Sequence, residues 1–133
     1  QWFVRHRLND VLRYDPTPCP CGRRTKTLLA IEGRAEEVLW LPDDRGEPFA
    51  VFPDTVRQAI YSLASPPDRY RIEQHAMRWE VRMSGGDEGE VQTAFAGLAD
   101  RLGLTRPEVV FLPWTEQPAS EKQKRIRCLA KPE

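Results

Sequence analysis

The sequence predicts an α+β fold: an antiparallel sheet with two helices on one face, preceded by a β-hairpin. Three observations predict it. Apolar residues recur at helical spacing in two stretches, residues 56–63 and 91–102. Between Arg69 and Met83 the period changes to two. The remaining apolar runs are short and bounded by Pro, Gly and Asp, as strands between turns are.

Taken in order, Val11-Leu12-Arg13-Tyr14 reads as a strand ended by Asp15-Pro16-Thr17-Pro18. Residues 28–31 and 38–41 read as two strands joined by a charged turn over residues 31–37, which is the expected hairpin. Residues 42–48 form a loop and 49–52 a strand. Asp54 is then expected to cap a helix in which Val56, Ala59, Ile60 and Leu63 share one face, with Pro66-Pro67 as the stop. Tyr70, Ile72, Gln74 and Ala76 face one way, and Arg71, Glu73 and His75 the other. Trp79, Val81 and Met83 repeat the alternation, so two antiparallel strands turn near Ala76-Met77-Arg78 and keep one wet face, which makes His75 a surface residue. Ser84-Gly85-Gly86-Asp87 is a loop, since it lacks the spacing and the lysine of a phosphate-binding loop. Val91, Ala94, Phe95, Leu98, Ala99 and Leu102 mark a second helix that ends at Gly103. Residues 109–112 are expected to be a buried strand, and the basic tail a loop followed by an edge strand. From Phe49 the order strand, helix, strand, strand, helix, strand is the split βαβ order of ferredoxin-like folds, which serves many functions.

Composition excludes several classes. Hydrophobic residues make up 40% of the chain and charge is balanced, with 20 basic and 20 acidic residues, as in a soluble globular protein. Zero net charge gives no general attraction to nucleic acid or to an anionic membrane, despite the local basic cluster at residues 122–127. No apolar run approaches the roughly 18 residues of a membrane helix, and the amino terminus has no leader pattern; a cytoplasmic protein is expected. Three cysteines cannot all pair, and Cys19 and Cys21, one proline apart, are poorly placed to bridge each other. They read either as half a Zn²⁺ site, which His6, His75 or Cys128 would have to complete, or as two free thiols in a Pro-Gly turn. In the turn at residues 31–37, Gly33 adopts positive φ at little cost and Arg34 is a permanent forked cation able to grip a phosphate or ribose.

Four stretches carry a family resemblance: Arg5-His6-Arg7-Leu8-Asn9-Asp10, Pro18-Cys19-Pro20-Cys21-Gly22, Ile31-Glu32-Gly33-Arg34-Ala35-Glu36 and Ser120-Glu121-Lys122-Gln123-Lys124-Arg125. In that order they resemble the end of an adenylate-forming enzyme of the phenylacetate coenzyme A ligase type, in a less characterised branch. The resemblance implies that residues 1–32 are the end of a large amino-terminal domain with its linker, and residues 33–133 a mobile carboxyl-terminal domain. It implies ATP and Mg²⁺ as cofactors, a small carboxylic acid as substrate, coenzyme A as acceptor, the large domain as partner, and an isolated chain that is inactive alone. It places Asp10 against the ribose hydroxyls of ATP, Arg34 on the nucleotide, Gly33 and Glu36 at the pivot, and Lys122 as the adenylation lysine. Lys124 is a rival cation for the nucleotide. The chain departs from the family at His6, where tyrosine is usual, at Leu8 and Asn9, where threonine and glycine are usual, and at Glu121, where glycine is usual. The alternative is a stand-alone ferredoxin-like module that binds a small ligand or nucleic acid through its basic tail with Trp79 and Trp114.

Overall fold

The computed structural model describes residues 9–117 and 124–132, with Glu36 by its backbone alone. The first two strands, β1 (Asp10–Tyr14) and β2 (Leu28–Arg34), form an antiparallel ribbon. A 3-10 turn, Ala35–Glu37, leads to β3 (Leu39–Pro42), which pairs antiparallel with β4 (Pro48–Val51). Then come α1 (Pro53–Tyr61), β5 (Arg69–His75), β6 (Arg78–Ser84), α2 (Glu88–Leu102), β7 (Glu108–Pro113) and β8 (Ile126–Ala130). The last four strands make one sheet in the order β7-β6-β5-β8. Among the described residues no helix is long and apolar enough to cross a membrane.

The α+β class holds, but the sheet is mixed where an antiparallel one is expected. Only β5 and β6 run antiparallel; β6 and β7, and β5 and β8, are parallel. A helical crossover returns the chain in its original direction, so α2 makes β7 parallel to β6. The strand at β4, expected to open the sheet, pairs with β3 instead, and β8 takes the fourth place. The strands flanking the charged turn do not pair with each other either. Leu39 and Leu41 of β3 are fully buried, whereas Leu29 and Ile31 of β2 are 56% and 64% exposed. Burial draws β3 into the core and leaves β2 to β1, each fully buried Leu contributing about 1.5–3 kcal/mol.

Pro53 stands at the first position of α1, where its missing N–H costs nothing, so the helix begins before Asp54. Asp54 therefore accepts from Arg57 at 2.8 Å instead of capping. Val56 and Ile60 are buried as expected. In α2 Asp87 caps by accepting from the Glu90 N–H at 2.8 Å, and Gly103 ends the helix at φ 66°. At the centre, Trp79 meets Phe95 edge to face, with centroids 5.3 Å apart. Trp79 is fully buried, which removes it from any contact surface. β7 lies at the sheet edge and is half-buried, not a central buried strand.

Gln74 joins the two sheets. Its buried amide donates to the carbonyls of Trp40 and Ala76 at 2.5 and 2.6 Å, and its oxygen accepts from the Trp40 N–H at 2.8 Å. One side chain thus satisfies β3 from β5, as a buried polar group must be satisfied.

Candidate functional site

Two places gather polar and charged side chains that could bind a ligand. The first is the junction of the β1–β2 ribbon with α1. Val11 faces Gly33 while Leu12 faces Ile31, so Glu32 is an extra residue and the ribbon bulges there. Gly33, at φ 119°, makes this possible. The bulge resets the alternation, and Asp10 becomes the direct cross-strand partner of Arg34. Directly opposed residues project from the same face with Cβ atoms about 5 Å apart, so the two predicted nucleotide contacts stand side by side and exposed. Ala35 N–H donates to the Asn9 carbonyl at 2.8 Å and closes the register.

Gly33, expected at the pivot, abuts α1. A Cβ on Gly33 would lie 2.7 Å from Pro53 Cγ, so the ribbon touches the helix start where only glycine fits. Just after this contact in the chain, Glu37 accepts from Arg57 at 2.9 Å, and Arg57 also binds Asp54 at 2.8 Å. The Glu36 side chain lies outside the described residues.

The second place is a cleft of about 430 Å³ at the start of β5. β8 begins at Ile126 opposite Ile72, so Arg69, Tyr70 and Arg71 extend past its start and leave a notch in the sheet edge. Although successive strand residues point to opposite faces, Arg69, Tyr70 and Arg71 all line this notch. Arg125 donates to the Tyr61 hydroxyl at 3.0 Å and lies 5.9 Å above the Tyr70 ring. Opposite, Arg69 lies 5.4 Å above Trp114 and binds Glu116 at 2.5 Å. Lys124 and Gln117 also line the cleft. Burial, with Tyr61 second, pushes the Tyr70 hydroxyl up to about 12.

The structure therefore brings Asp10, Gly33 and Arg34 together and sets Lys124 in a separate cleft, to which neither β1 nor β2 contributes. Lys122 lies outside the described residues. Cys19 and Cys21 hold their sulfurs 2.8 Å apart in the loop after β1, and the Cys19 hydrogen bond lowers the Cys21 thiol below the ordinary range. Among the described residues no group of three His, Cys, Asp or Glu gathers that could hold a metal. His75 is exposed at the end of β5, 3.9 Å from Glu80, as expected of a surface histidine.

Of the cleft cations, Lys124 was named from the sequence and Arg125 fell in the basic cluster, but Arg69 and Arg71 were not singled out. Arg69 and Arg71 alternate onto a face that reads as wet, and only the late start of β8 makes them neighbours of Arg125. The one available signal was an aromatic, Trp114, close to the basic tail.

No family model and no curated protein matches the chain. Among solved structures the chain is similar to 2-hydroxyisobutyryl-CoA ligase in an open conformation in complex with 2-HIB-AMP and CoA. The identity is 18% over 92% of this chain and 28% of that one, with a TM-score of 0.47. It is also similar to the same ligase in the postadenylation state in complex with 2-HIB-AMP, at 19% identity over 91% of this chain and 27% of that one, with a TM-score of 0.47. The chain thus spans 27–28% of the length of those proteins.

Proposed function

We propose that this chain is the end of an ATP-dependent, AMP-forming acyl-activating ligase, with residues 33–133 as its mobile carboxyl-terminal domain. The observation that carries the reading is the register of the β1–β2 ribbon, in which the bulge at Glu32 sets Asp10 beside Arg34. An acceptor-only carboxylate suits two ribose hydroxyls, and a forked guanidinium beside it suits the adjoining phosphate. The exposed apolar side chains of Leu28, Leu29 and Ile31 suit a ribbon that packs on a larger body, which in this reading is the large amino-terminal domain.

The chemistry follows from residue type. When a carboxylate attacks the α-phosphorus and pyrophosphate leaves, charge builds on phosphoryl oxygens, and an ammonium delivered by Lys122 stabilises it. Lys124 would steady the phosphates. Rotation about Gly33 and Glu36 would then withdraw Lys122 and present another face for attack by a thiol, with coenzyme A as the acceptor. Mg²⁺ would arrive with ATP and supply charge neutralisation of the leaving pyrophosphate. Cys19 and Cys21 would supply only two of the four ligands of a structural Zn²⁺ site, and among the described residues no third ligand gathers with them, so the pair fits two thiols in a Pro-Gly turn better than a metal centre. The reading carries a cytoplasmic location with it, where ATP and coenzyme A are available.

Acid-dependent exchange of labelled pyrophosphate into ATP by the complete gene product tests this. Lys122→Ala should lower the exchange about 10²–10³-fold. Exchange unchanged in that variant would remove Lys122 from its role, and no exchange with any carboxylic acid would sink the ligase reading. A second reading, a stand-alone module for a small ligand or nucleic acid, is favoured by the cationic cleft with Trp114 beneath Arg69. It differs in giving affinity without any exchange, and salt-sensitive affinity if the ligand is nucleic acid.

A further inference from the structure

Two buried donor atoms at the β5 notch, Arg71 Nε and the Tyr70 hydroxyl, have no hydrogen-bond partner among the described residues. Arg71 is 9% exposed, its Nε makes no hydrogen bond, and its one side-chain bond is a long one, 3.3 Å, to the Thr115 hydroxyl. The Tyr70 hydroxyl, 5% exposed as a residue, likewise has no acceptor at hydrogen-bond distance among the described residues, although the Tyr61 hydroxyl lies near enough to perturb it. No carboxylate is paired with Arg71 among the described residues, although buried cations are ordinarily paired. Orphaned buried donors are rare and ask for an explanation. Both orphans border the same cleft, with Arg125 beside them. The rim carboxylate Glu116 is already engaged by Arg69 at 2.5 Å and by Trp114 Nε1 at 3.1 Å, and Asp68 is exposed.

We propose that this cleft is a binding site for a phosphate-bearing anion, in which Arg71, Arg125 and the Tyr70 hydroxyl donate to phosphoryl oxygens. A guanidinium fork with a phenolic O–H matches the several strong acceptors of a phosphate group, and a phosphate chain would reach donors on both sides of the notch. Trp114 and Tyr61 add aromatic walls on which a base can stack. The inference stands apart from the ligase reading: it concerns anion binding by this chain alone, and either can fail without the other.

Calorimetric titration of the 133-residue chain with inorganic pyrophosphate, ATP and AMP tests it. Saturable binding of pyrophosphate is expected, weakened about tenfold or more in Arg71→Gln and a few-fold in Tyr70→Phe, by loss of charge-assisted and neutral hydrogen bonds respectively. Arg106→Gln, which removes a cation held by Asp100 at 2.6 Å outside the cleft, should bind as the parent does. Tighter ATP than pyrophosphate would add base stacking to phosphate recognition, while equal affinities would assign the site to the phosphate chain; AMP should bind weakest. Should Arg71→Gln fail to fold by circular dichroism, Tyr70→Phe decides, since it removes only a hydroxyl. No saturable pyrophosphate binding, parental affinity in the folded variants, or an equal loss in Arg106→Gln would each overturn the proposal.

Discussion

At the scale of single residues, Tyr70 and Gln74 show how the same strand disposes of polar atoms in opposite ways. Gln74 is satisfied three times over, by Trp40 twice and by Ala76. Gln74→Leu keeps the volume but takes the partner from the part-buried Trp40 amide and from two carbonyls, and should cost about 2–4 kcal/mol, read as a lower midpoint in urea denaturation. Tyr70 is the contrary case, a hydroxyl with no acceptor at hydrogen-bond distance among the described residues and pushed up to about 12 by burial. Its folded pKa lies above the ordinary value near 10, so the unfolded chain releases the proton first as pH rises. The contribution is whole below about pH 10 and is lost as pH climbs through about 12. Denaturation midpoints of the parent should fall over that interval more than those of Tyr70→Phe, and parallel curves would contradict the assignment.

Among elements, the informative one is β2. Its apolar pattern reads as half of a hairpin with β3, yet it continues through Gly33 and Arg34 and pairs with β1. The bulge at Glu32 and the contact of Gly33 with Pro53 fix where the ribbon meets α1. Gly33→Ala would force an L-residue to φ 119° and set a Cβ 2.7 Å from Pro53 Cγ. It should destabilise by about 1–3 kcal/mol, measured by chemical denaturation, and shift the amide resonances of Pro53's neighbours Asp54 and Thr55. An unperturbed junction would show that the contact is slack. The same element carries the Asp10–Arg34 pair, so on the proposed ligase reading Asp10→Asn and Arg34→Gln should each weaken ATP use by the complete gene product about 10- to 100-fold, read as kcat/KM in the exchange assay.

For the whole molecule, the core and the candidate sites were legible to very different degrees. Both helices, the turn at Ala76-Met77 and the stop at Gly103 follow from patterns within a dozen residues, because period and positive φ are local properties. The Asp10, Gly33 and Arg34 cluster was named from sequence motifs, but that Asp10 and Arg34 are cross-strand partners depends on one bulge. The cleft was not legible: it exists because β8 starts three residues late against β5, a fact of register between segments more than 50 residues apart. Sequence by itself determined the α+β class, the buried faces of the helices and the β5–β6 hairpin, since hydrophobic period and turn chemistry act over neighbouring residues. Only the tertiary structure decided that the sheet is mixed, that β4 leaves it for β3, and that Arg71 Nε and the Tyr70 hydroxyl are buried without hydrogen-bond partners among the described residues. Those outcomes turn on which distant segments compete best for the same core and the same strand edge, and no local pattern records that competition.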